Sequence, residues 1–201
     1  GSTRASSYAF SNKSVTRNGK THVVWLDAVA RVCARTRDHQ TGTWGPTIAV
    51  GDGADNHTSP ALTMDRDGYL HIAYGPHGWW EKWNQGRFVW KKSANPESVE
   101  AWQPECNFGY NATYPGLAHS PRGYDVIAYR GGEVPCSVMF QRQRDKGEWT
   151  TAREIFRQDI VPQYTHNGAW ITADGEGTLY LSAHFYNTGG MRDPVRSSKE
   201  F

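Results

Sequence analysis

A glycine-containing turn recurs along this chain at intervals of about 50 residues and constrains the fold more than any other feature of the sequence. Its four copies align on Gly19, Gly68, Gly123 and Gly177. An aromatic residue stands six positions after the glycine in three copies and Ala183 stands there in the fourth; the aromatic residues are Trp25, Tyr74 and Tyr129. A repeat of this length, made of short strands and tight turns, is typical of β-propeller blades.

The second copy is the clearest β-hairpin in the chain. Pro60 to Met64 predicts one strand, Asp65 to Gly68 has turn composition, and Tyr69 to Tyr74 predicts the return strand. In an antiparallel hairpin, the start of the first strand and the end of the second lie at the same open end. We therefore expect His57 and His77 to lie close together, where two imidazoles can support proton transfer, metal binding or anion binding.

The other copies follow the same plan. A hairpin from Tyr114 to Tyr129, with its turn at Ser120 to Gly123, places Tyr114 and Arg130 at its open end. A later hairpin starts at His166-Asn167-Gly168, turns at Ala173 to Gly177 and ends at His184, and a fainter first hairpin ends at Asp27. Blades direct equivalent hairpin ends toward one face, so we expect these residues to flank that face as more distant substrate contacts: Asp27, His166, Asn167 and His184.

Short segments rich in β-branched and aromatic residues separate the hairpins and read as further strands. They are Val32–Arg35, Trp44–Val50, Arg87–Lys91, Cys136–Arg142 and Trp149–Ile155. Glu154–Asp159 is the one weak helical candidate. The sequence thus predicts an all-β chain: a single β-propeller domain over residues 1–201, with about four blades of four antiparallel strands. A β-sandwich, which also uses short strands and tight turns, is the alternative fold.

Composition narrows the function classes. The net charge of +2 and the absence of a basic run argue against a nucleic-acid partner held by phosphate contacts, and no apolar stretch is long enough to span a membrane. Nine Trp and ten Tyr residues are many for this length. Most are expected in blade cores, but Trp79, Trp80 and Trp83, just after His77, are candidates for stacking on sugar rings.

Three cysteines allow at most one disulfide, and their spacing matches no zinc motif; they are Cys33, Cys106 and Cys136. Buried free thiols are the favoured interpretation. No signal peptide is visible in the sequence.

The four residues expected at neighbouring hairpin ends suit one chemistry. The guanidinium of Arg130 can grip a carboxylate with two parallel hydrogen bonds, which makes the proton on the adjacent carbon more acidic. An imidazole of His57 or His77, or the phenol of Tyr114, can then take that proton, and another of these groups can protonate the leaving oxygen. This is β-elimination on a uronic acid. No Asp/Glu pair stands at these ends, so a two-carboxylate glycosidase is poorly supported.

Two blocks, DNHTSPALTMDRDGYLHIAYGPH and TYPGLAHSPRGYDVIAYRGG, resemble the BNR-type β-propeller ulvan lyases of polysaccharide lyase families 24 and 25. The resemblance runs from about residue 20 to about residue 185. It implies cleavage of ulvan, a sulfated polysaccharide of rhamnose 3-sulfate and glucuronic or iduronic acid, with a 4,5-unsaturated uronate as product. By motif, His57 and His77 match the two active-site histidines, Tyr114 the catalytic tyrosine and Arg130 the arginine that neutralises the carboxylate. Tyr114 and His57 are the expected acid/base pair.

The chain also departs from this family. Family propellers have seven blades and about twice this length, so we expect a partial propeller, either a fragment or an unusually short relative. Some members carry a structural metal held by His and Cys, and no matching cluster is evident here, although His119 with Cys136 or His166 with His184 could contribute to a zinc or calcium site. No cofactor is expected to be required. The expected partner is a sulfated uronic-acid polysaccharide, with Asn56, Trp79 and Trp80 as additional contacts. A secreted or periplasmic location is expected for such a polysaccharide-degrading protein.

Two alternatives to a lyase stay open. A non-catalytic propeller could bind an anionic glycan with the same arginine and aromatic residues. A sialidase-like hydrolase also uses BNR-type repeats, but it needs three arginines around the carboxylate and an acidic partner, and only Arg130 is placed convincingly.

Overall fold

The computed structural model describes residues 2–77, 83–131, 137–143, 147–158, 165–187 and 195–197, and for residues 158, 165–168, 185–187 and 195–197 it describes the backbone alone. Within these ranges the chain is built from β-strands joined by turns, with one short 3-10 helix at Asn84–Gly86. No helix in the described ranges is both long and apolar enough to cross a membrane.

The strands form four antiparallel sheets, each made from a consecutive part of the chain except that the last strand joins the third sheet. The first sheet contains β1 (Ser14–Arg17), β2 (Lys20–Leu26), β3 (Arg31–Asp38) and β4 (Ile48–Asp52). The second contains β5 (Ala61–Met64), β6 (Leu70–Tyr74), β7 (Phe88–Lys92) and β8 (Cys106–Phe108). The third contains β9 (Thr113–Ser120), β10 (Tyr124–Gly131), β11 (Ser137–Arg142) and β12 (Arg153–Gln158). The fourth contains β13 (Thr165–Ala173) and β14 (Leu179–Asn187), and β15 (Val195–Ser197) pairs with the outer edge of β12.

The repeated glycines stand in the hairpin turns that the sequence predicts. Gly68, Gly123 and Gly177 have φ values of +90°, +89° and +89°, and the amide of each donates to the carbonyl three residues earlier. Side chains with a Cβ avoid this backbone conformation, which is why glycine recurs there. The first turn is different, because Asn18 and Gly19 both have positive φ, as the two-residue type I′ hairpin requires.

Some strand boundaries differ from the predicted ones. Trp44 and Trp149 make only isolated bridges, to Arg37 and Gln143, and the regular strands that follow them begin at Ile48 and Arg153. The weak helical candidate beginning at Glu154 lies in β12, because its backbone pairs with β11. Strand β8 was not predicted. Pairing with a neighbouring strand outweighs local propensity in each of these segments.

The hydrophobic core consists of three layers, each between consecutive sheets. Leu26 of the first sheet packs with Leu62 and Tyr74 of the second, while Phe88 of the second packs with Tyr129 of the third. A third layer joins the third and fourth sheets. Tyr74 and Tyr129, the aromatic residues six positions after the turn glycine, are both fully buried. Each fully buried leucine contributes roughly 1.5–3 kcal/mol relative to an exposed one.

The first strands of the four sheets, β1, β5, β9 and β13, pack against one another in chain order. This is the inner ring of a partial propeller, and it places the open ends of the four hairpins on one face. Residues preceding β1 join the ring: Leu62 donates its amide to the carbonyl of Asn12, and the Asn12 side-chain amide donates to the carbonyl of Leu117. The N-terminal segment therefore runs between β5 and β9 and reaches the same face.

Candidate functional site

The turn before β5 and the segment after β6 are held together by buried hydrogen bonds. The backbone amide of His57 donates to Oδ1 of Asp55 at 2.6 Å, which closes an aspartate turn. The hydroxyl of buried Thr58 donates to the carbonyl of Gly75 at 2.9 Å. Because Gly75 directly follows β6, this bond brings the start of one strand to the end of its neighbour. His57 and His77 thereby meet.

The two imidazoles form a stacked pair on one carboxylate. The rings of His57 and His77 lie 3.8 Å apart between centroids, with 19° between their planes. Oδ2 of Asp55 lies 3.1 Å from Nδ1 of His57 and 3.1 Å from Nδ1 of His77. A carboxylate accepts hydrogen bonds and does not donate them, so each ring presents an Nδ1 hydrogen to Asp55. The sequence predicted the histidine pair but missed Asp55, although it stands at the head of the same motif.

Electrostatics at the pair disfavour a second positive charge. Burial lowers the pKa of His77, and the neighbouring charges of His57 and Arg130 lower it further, against the opposing effect of Asp55. Burial by itself would raise the pKa of Asp55, but hydrogen bonds from the His57 amide and from His77 outweigh it, and the pKa is lowered. The site therefore favours an ionised carboxylate beside a neutral His77.

Tyr114 occupies an irregular position at the start of β9. Thr113 pairs with Arg130 and Gly116 with Ala128, so two residues of β9 bulge opposite one residue of β10. Tyr114 has a φ of +59°, a conformation that is rare for a residue with a bulky side chain. Such strain is most often found at functional positions. The bulge turns the Tyr114 ring toward the open end of the hairpin.

Arg130 lies over the Tyr114 ring. Its guanidinium carbon is 4.6 Å from the ring centroid, and Nη2 donates to the Thr113 hydroxyl at 3.3 Å. The Tyr114 and His77 ring centroids are 6.4 Å apart, which joins the two hairpin ends into one group. The structure therefore brings together the four side chains that sequence analysis assigned to catalysis: His57, His77, Tyr114 and Arg130.

Residues of the N-terminal segment cover part of this group. The Tyr8 ring lies 4.4 Å from the Tyr114 ring and stacks on His57 at 6.3 Å, and Phe10 contacts the edge of Tyr114 at 5.4 Å. Arg4 donates to the Tyr8 hydroxyl at 2.6 Å. Tyr114 is consequently only 1% exposed and Arg130 7% exposed. The local pattern of residues 2–12 does not predict where the segment packs, so this cover is evident only from the structure.

The predicted substrate contacts are only partly described. Asn56 is exposed beside His57, whereas Trp83 is half-buried and packs against the core layer of the first two sheets. Trp79 and Trp80 lie outside the described residues. Asp27 is used locally, accepting from the amides of Val29 and Arg31 and pairing with the Arg31 guanidinium.

The last hairpin is longer than predicted, so its polar residues lie within strands. His166 pairs with Tyr186 and Gly168 with His184 along β13 and β14, and the side chains of His166 and Asn167 lie outside the described part. The His184 ring lies 5.5 Å from Trp170 and 6.1 Å from Phe10. His184 therefore reaches the N-terminal segment, two contacts away from Tyr114.

A second polar group lies buried between the second and third sheets. Asp125 accepts from Nδ1 of His71 at 2.7 Å, from Nδ1 of His119 at 2.8 Å and from Nε1 of Trp90 at 2.8 Å. Burial opposes ionisation of Asp125, but the charge of His71 and the hydrogen bonds from both histidines prevail and lower its pKa to about 2. A cleft of about 1160 Å³ leads to this group past the hairpin turns, at the opposite end of the strands from His57.

This second group has the donor atoms for a metal ion. The Nδ1 atoms of His71 and His119 and a carboxylate oxygen of Asp125 lie within 4.8 Å of one another. Two imidazoles and one carboxylate are a ligand set that zinc accepts, and these three residues would hold an ion in exchange for the two histidine hydrogen bonds. The expected partner of His119 in a metal site was Cys136, which lies outside the described residues. The thiol of Cys106 lines the same cleft and donates to the Gly147 carbonyl at 2.8 Å.

Known proteins share both the sequence pattern and the fold. The family model for a BNR repeat-containing family member matches residues 20–139, more than half of the chain. An ulvan lyase of Nonlabens ulvanivorans is 25% identical over 152 residues, covering 66% of this chain and 32% of that protein. An ulvan lyase of Alteromonas sp. (strain LOR) is 23% identical over 193 residues, covering 85% of this chain and 40% of that protein. The chain thus spans well under half the length of these relatives.

Two solved structures of PL25 ulvan lyases have a similar fold. A PL25 ulvan lyase superposes with a TM-score of 0.75 at 20% identity, covering 92% of this chain and 47% of that one. The PL25 ulvan lyase bound to -[GlcA(1-4)Rha3S]- superposes with a TM-score of 0.71 over 87% of this chain and 45% of that one. At this identity the likeness establishes the fold, a β-propeller of which this chain provides part. By its repeat pattern and its matching family model, the chain belongs to the BNR repeat-containing family.

Proposed function

We propose that this chain carries the catalytic centre of a polysaccharide lyase that cleaves ulvan by β-elimination at a uronic acid. One observation carries the proposal: a guanidinium, a phenol and a carboxylate-held imidazole pair meet at the open ends of two neighbouring hairpins. These are the groups that elimination needs and that hydrolysis by two carboxylates does not use.

The reaction assigns a role to each group. Arg130 neutralises the uronate carboxylate, so the negative charge that develops when the C5–H bond breaks is stabilised. His57 and Tyr114 act as the acid/base pair: one takes the C5 proton and the other protonates the glycosidic oxygen as the C4–O bond breaks. A C4–C5 double bond forms, and the product carries a 4,5-unsaturated uronate. His77 assists by holding the stacked pair.

The relatives and the charge of the site support the proposed substrate class. Two curated relatives are ulvan lyases, and one structural neighbour is bound to a glucuronate–rhamnose 3-sulfate unit. A cationic Arg130 beside a neutral His77 suits an anionic sugar. The chain spans 32–40% of the length of those two relatives. Its contacts with sugars on either side of the cleaved uronate are therefore proposed together with the activity.

Access to the phenol sets a further requirement. Tyr114 is covered by Tyr8 and Phe10, whereas the two histidines are partly open to solvent. A polysaccharide that reaches Tyr114 must displace the Tyr8 ring. If a glycan binds without reaching Tyr114, the protein is instead a non-catalytic, glycan-binding propeller. The burial of Tyr114 under Tyr8 and Phe10 favours this second candidate function.

One experiment separates the two candidates. The protein is incubated with ulvan and, in parallel, with heparin, chondroitin and alginate, while ultraviolet absorbance of the unsaturated uronate is followed. Growth of absorbance on ulvan that is abolished by Tyr114→Phe, with unchanged circular dichroism, supports the lyase. The Tyr124→Phe variant, which changes a tyrosine at the far end of β10, is the control and should retain the rate. Glycan binding without any absorbance change in the unmodified protein would establish the binding module instead.

A further inference from the structure

We infer that Asp55 is a positioning residue that holds both His57 and His77 with their Nδ1 atoms protonated and their Nε2 atoms free to accept a proton. This inference rests on the proposed function for its effect on rate, but the tautomer it assigns is a property of the protein alone. No residue of the predicted catalytic set supplies this role.

The geometry separates the two oxygens of Asp55. Oδ1 accepts the backbone amide of His57 at 2.6 Å and thereby shapes the turn. Oδ2 faces the side chains and lies 3.1 Å from Nδ1 of each imidazole. Oδ1 therefore holds the backbone turn, and Oδ2 orients the two imidazole rings.

The contact determines which ring nitrogen carries the proton. A neutral imidazole has one N–H and one lone pair, and the hydrogen bond made by one nitrogen decides the state of the other. Because Oδ2 can only accept, the N–H stands on Nδ1 in both rings. Nε2 of each ring then has the lone pair that a general base requires.

Asp55 also compensates charge within the stack. Two imidazolium rings 3.8 Å apart repel each other, and Arg130 adds a third positive charge on the side of Tyr114. One carboxylate shared by both rings stabilises a single added proton on the pair. The lowered pKa of His77, caused by burial and then by His57, agrees with this arrangement.

Asparagine at position 55 tests the inference with little change in shape. Asp55→Asn keeps an oxygen that can close the turn with the His57 amide, but places an NH₂ donor where Oδ2 accepted. A donor facing Nδ1 favours the opposite tautomer, with the hydrogen on Nε2. The matched control is Asp52→Asn, which removes an exposed carboxylate from β4 in the same part of the chain.

The experiment measures ring tautomers by long-range ¹H–¹⁵N NMR of histidine-labelled protein, at a pH where the rings are neutral, with His57→Gln and His77→Gln used for assignment. We expect Nδ1–H for both rings in the unmodified protein and in Asp52→Asn, and a shift toward Nε2–H in Asp55→Asn. The initial rate on ulvan should fall at least tenfold in Asp55→Asn, but less than the loss of about 10⁴ known for a buried orienting aspartate, because Asp55 is partly exposed.

The outcomes are distinct. An Nε2–H tautomer in the unmodified protein, or unchanged tautomers and rate in Asp55→Asn, overturns the inference. If the unmodified protein cleaves no uronate polysaccharide, the proposed function fails, and the NMR comparison alone still decides whether Asp55 sets the tautomers.

Discussion

Replacing Arg130 by alanine should abolish nearly all elimination while the fold persists. Arg130 is 7% exposed and its guanidinium lies 4.6 Å from the Tyr114 ring centroid, so it acts in a site from which most water is excluded. Loss of one preorganised charge-stabilising group costs about 10²–10³ in rate, and the burial of Arg130 places the expected loss near the upper limit. A thousandfold loss corresponds to about 4 kcal/mol of transition-state stabilisation.

The same substitution also has a structural cost, which the assay must separate from the catalytic one. Arg130→Ala removes the contact with Tyr114 and the hydrogen bond to Thr113, together worth roughly 1–3 kcal/mol of folding free energy. Arg142→Ala is the matched control, because the Arg142 guanidinium lies 5.0 Å from the Tyr124 ring centroid at the far end of the same sheet. Because Arg142 is exposed, Arg142→Ala should lose less stability than Arg130→Ala, and it should retain activity.

The assay is the initial rate of unsaturated-uronate formation on ulvan, with urea unfolding and circular dichroism for each variant. Arg130→Lys should recover only part of the rate, since an ammonium cannot make two parallel hydrogen bonds to a carboxylate. A rate for Arg130→Ala within tenfold of the unmodified protein would refute the electrostatic role. Equal losses of rate in Arg130→Ala and Arg142→Ala would show that loss of stability, and not loss of charge at the site, explains the lower rate.

Three further predictions concern access, binding and acid stability. Tyr8→Ala should raise kcat/KM on ulvan by about two- to tenfold, because the Tyr8–Tyr114 contact that closes the site is worth roughly 0.5–1.5 kcal/mol. His184→Ala should raise KM more than it lowers kcat, the signature of lost uniform binding at a residue that contacts the N-terminal segment. Folding lowers the pKa of Asp125, so its ionised carboxylate adds about 2 kcal/mol to the free energy of unfolding above pH 4, and this contribution is lost as the pH falls toward 2. Asp125→Asn should therefore flatten the dependence of the unfolding free energy on pH between 4 and 2.

Each of these has its own contrary result. A rise in KM for Tyr8→Ala would make Tyr8 a substrate contact and not a cover. A collapse of kcat in His184→Ala at constant KM would move that residue into the chemistry, and Tyr180→Ala, at an exposed position of the same strand, is its control. If Asp125→Asn lost as much stability between pH 4 and 2 as the unmodified protein, the acid sensitivity would belong to other carboxylates.

The repeat predicted much of the fold because its signals are local. Positive-φ glycines at four turns, and the β-branched and aromatic residues of the strands beside them, reflect short-range sterics and local strand propensity. The pairing of His57 with His77, and of Tyr114 with Arg130, followed from hairpin geometry alone. Strand ends at Trp44 and Trp149 were misplaced, since an aromatic residue favours a strand locally but only a paired neighbour makes one.

Long-range packing decided the rest of the site. Local patterns along the chain were enough to predict the blade repeat, the turn positions and the four side chains at neighbouring hairpin ends. Only the tertiary structure placed Tyr8 on Tyr114, joined both histidines to Asp55 and buried His71 and His119 around Asp125. These contacts join segments whose approach depends on how whole sheets pack, and no periodicity along the chain encodes that approach.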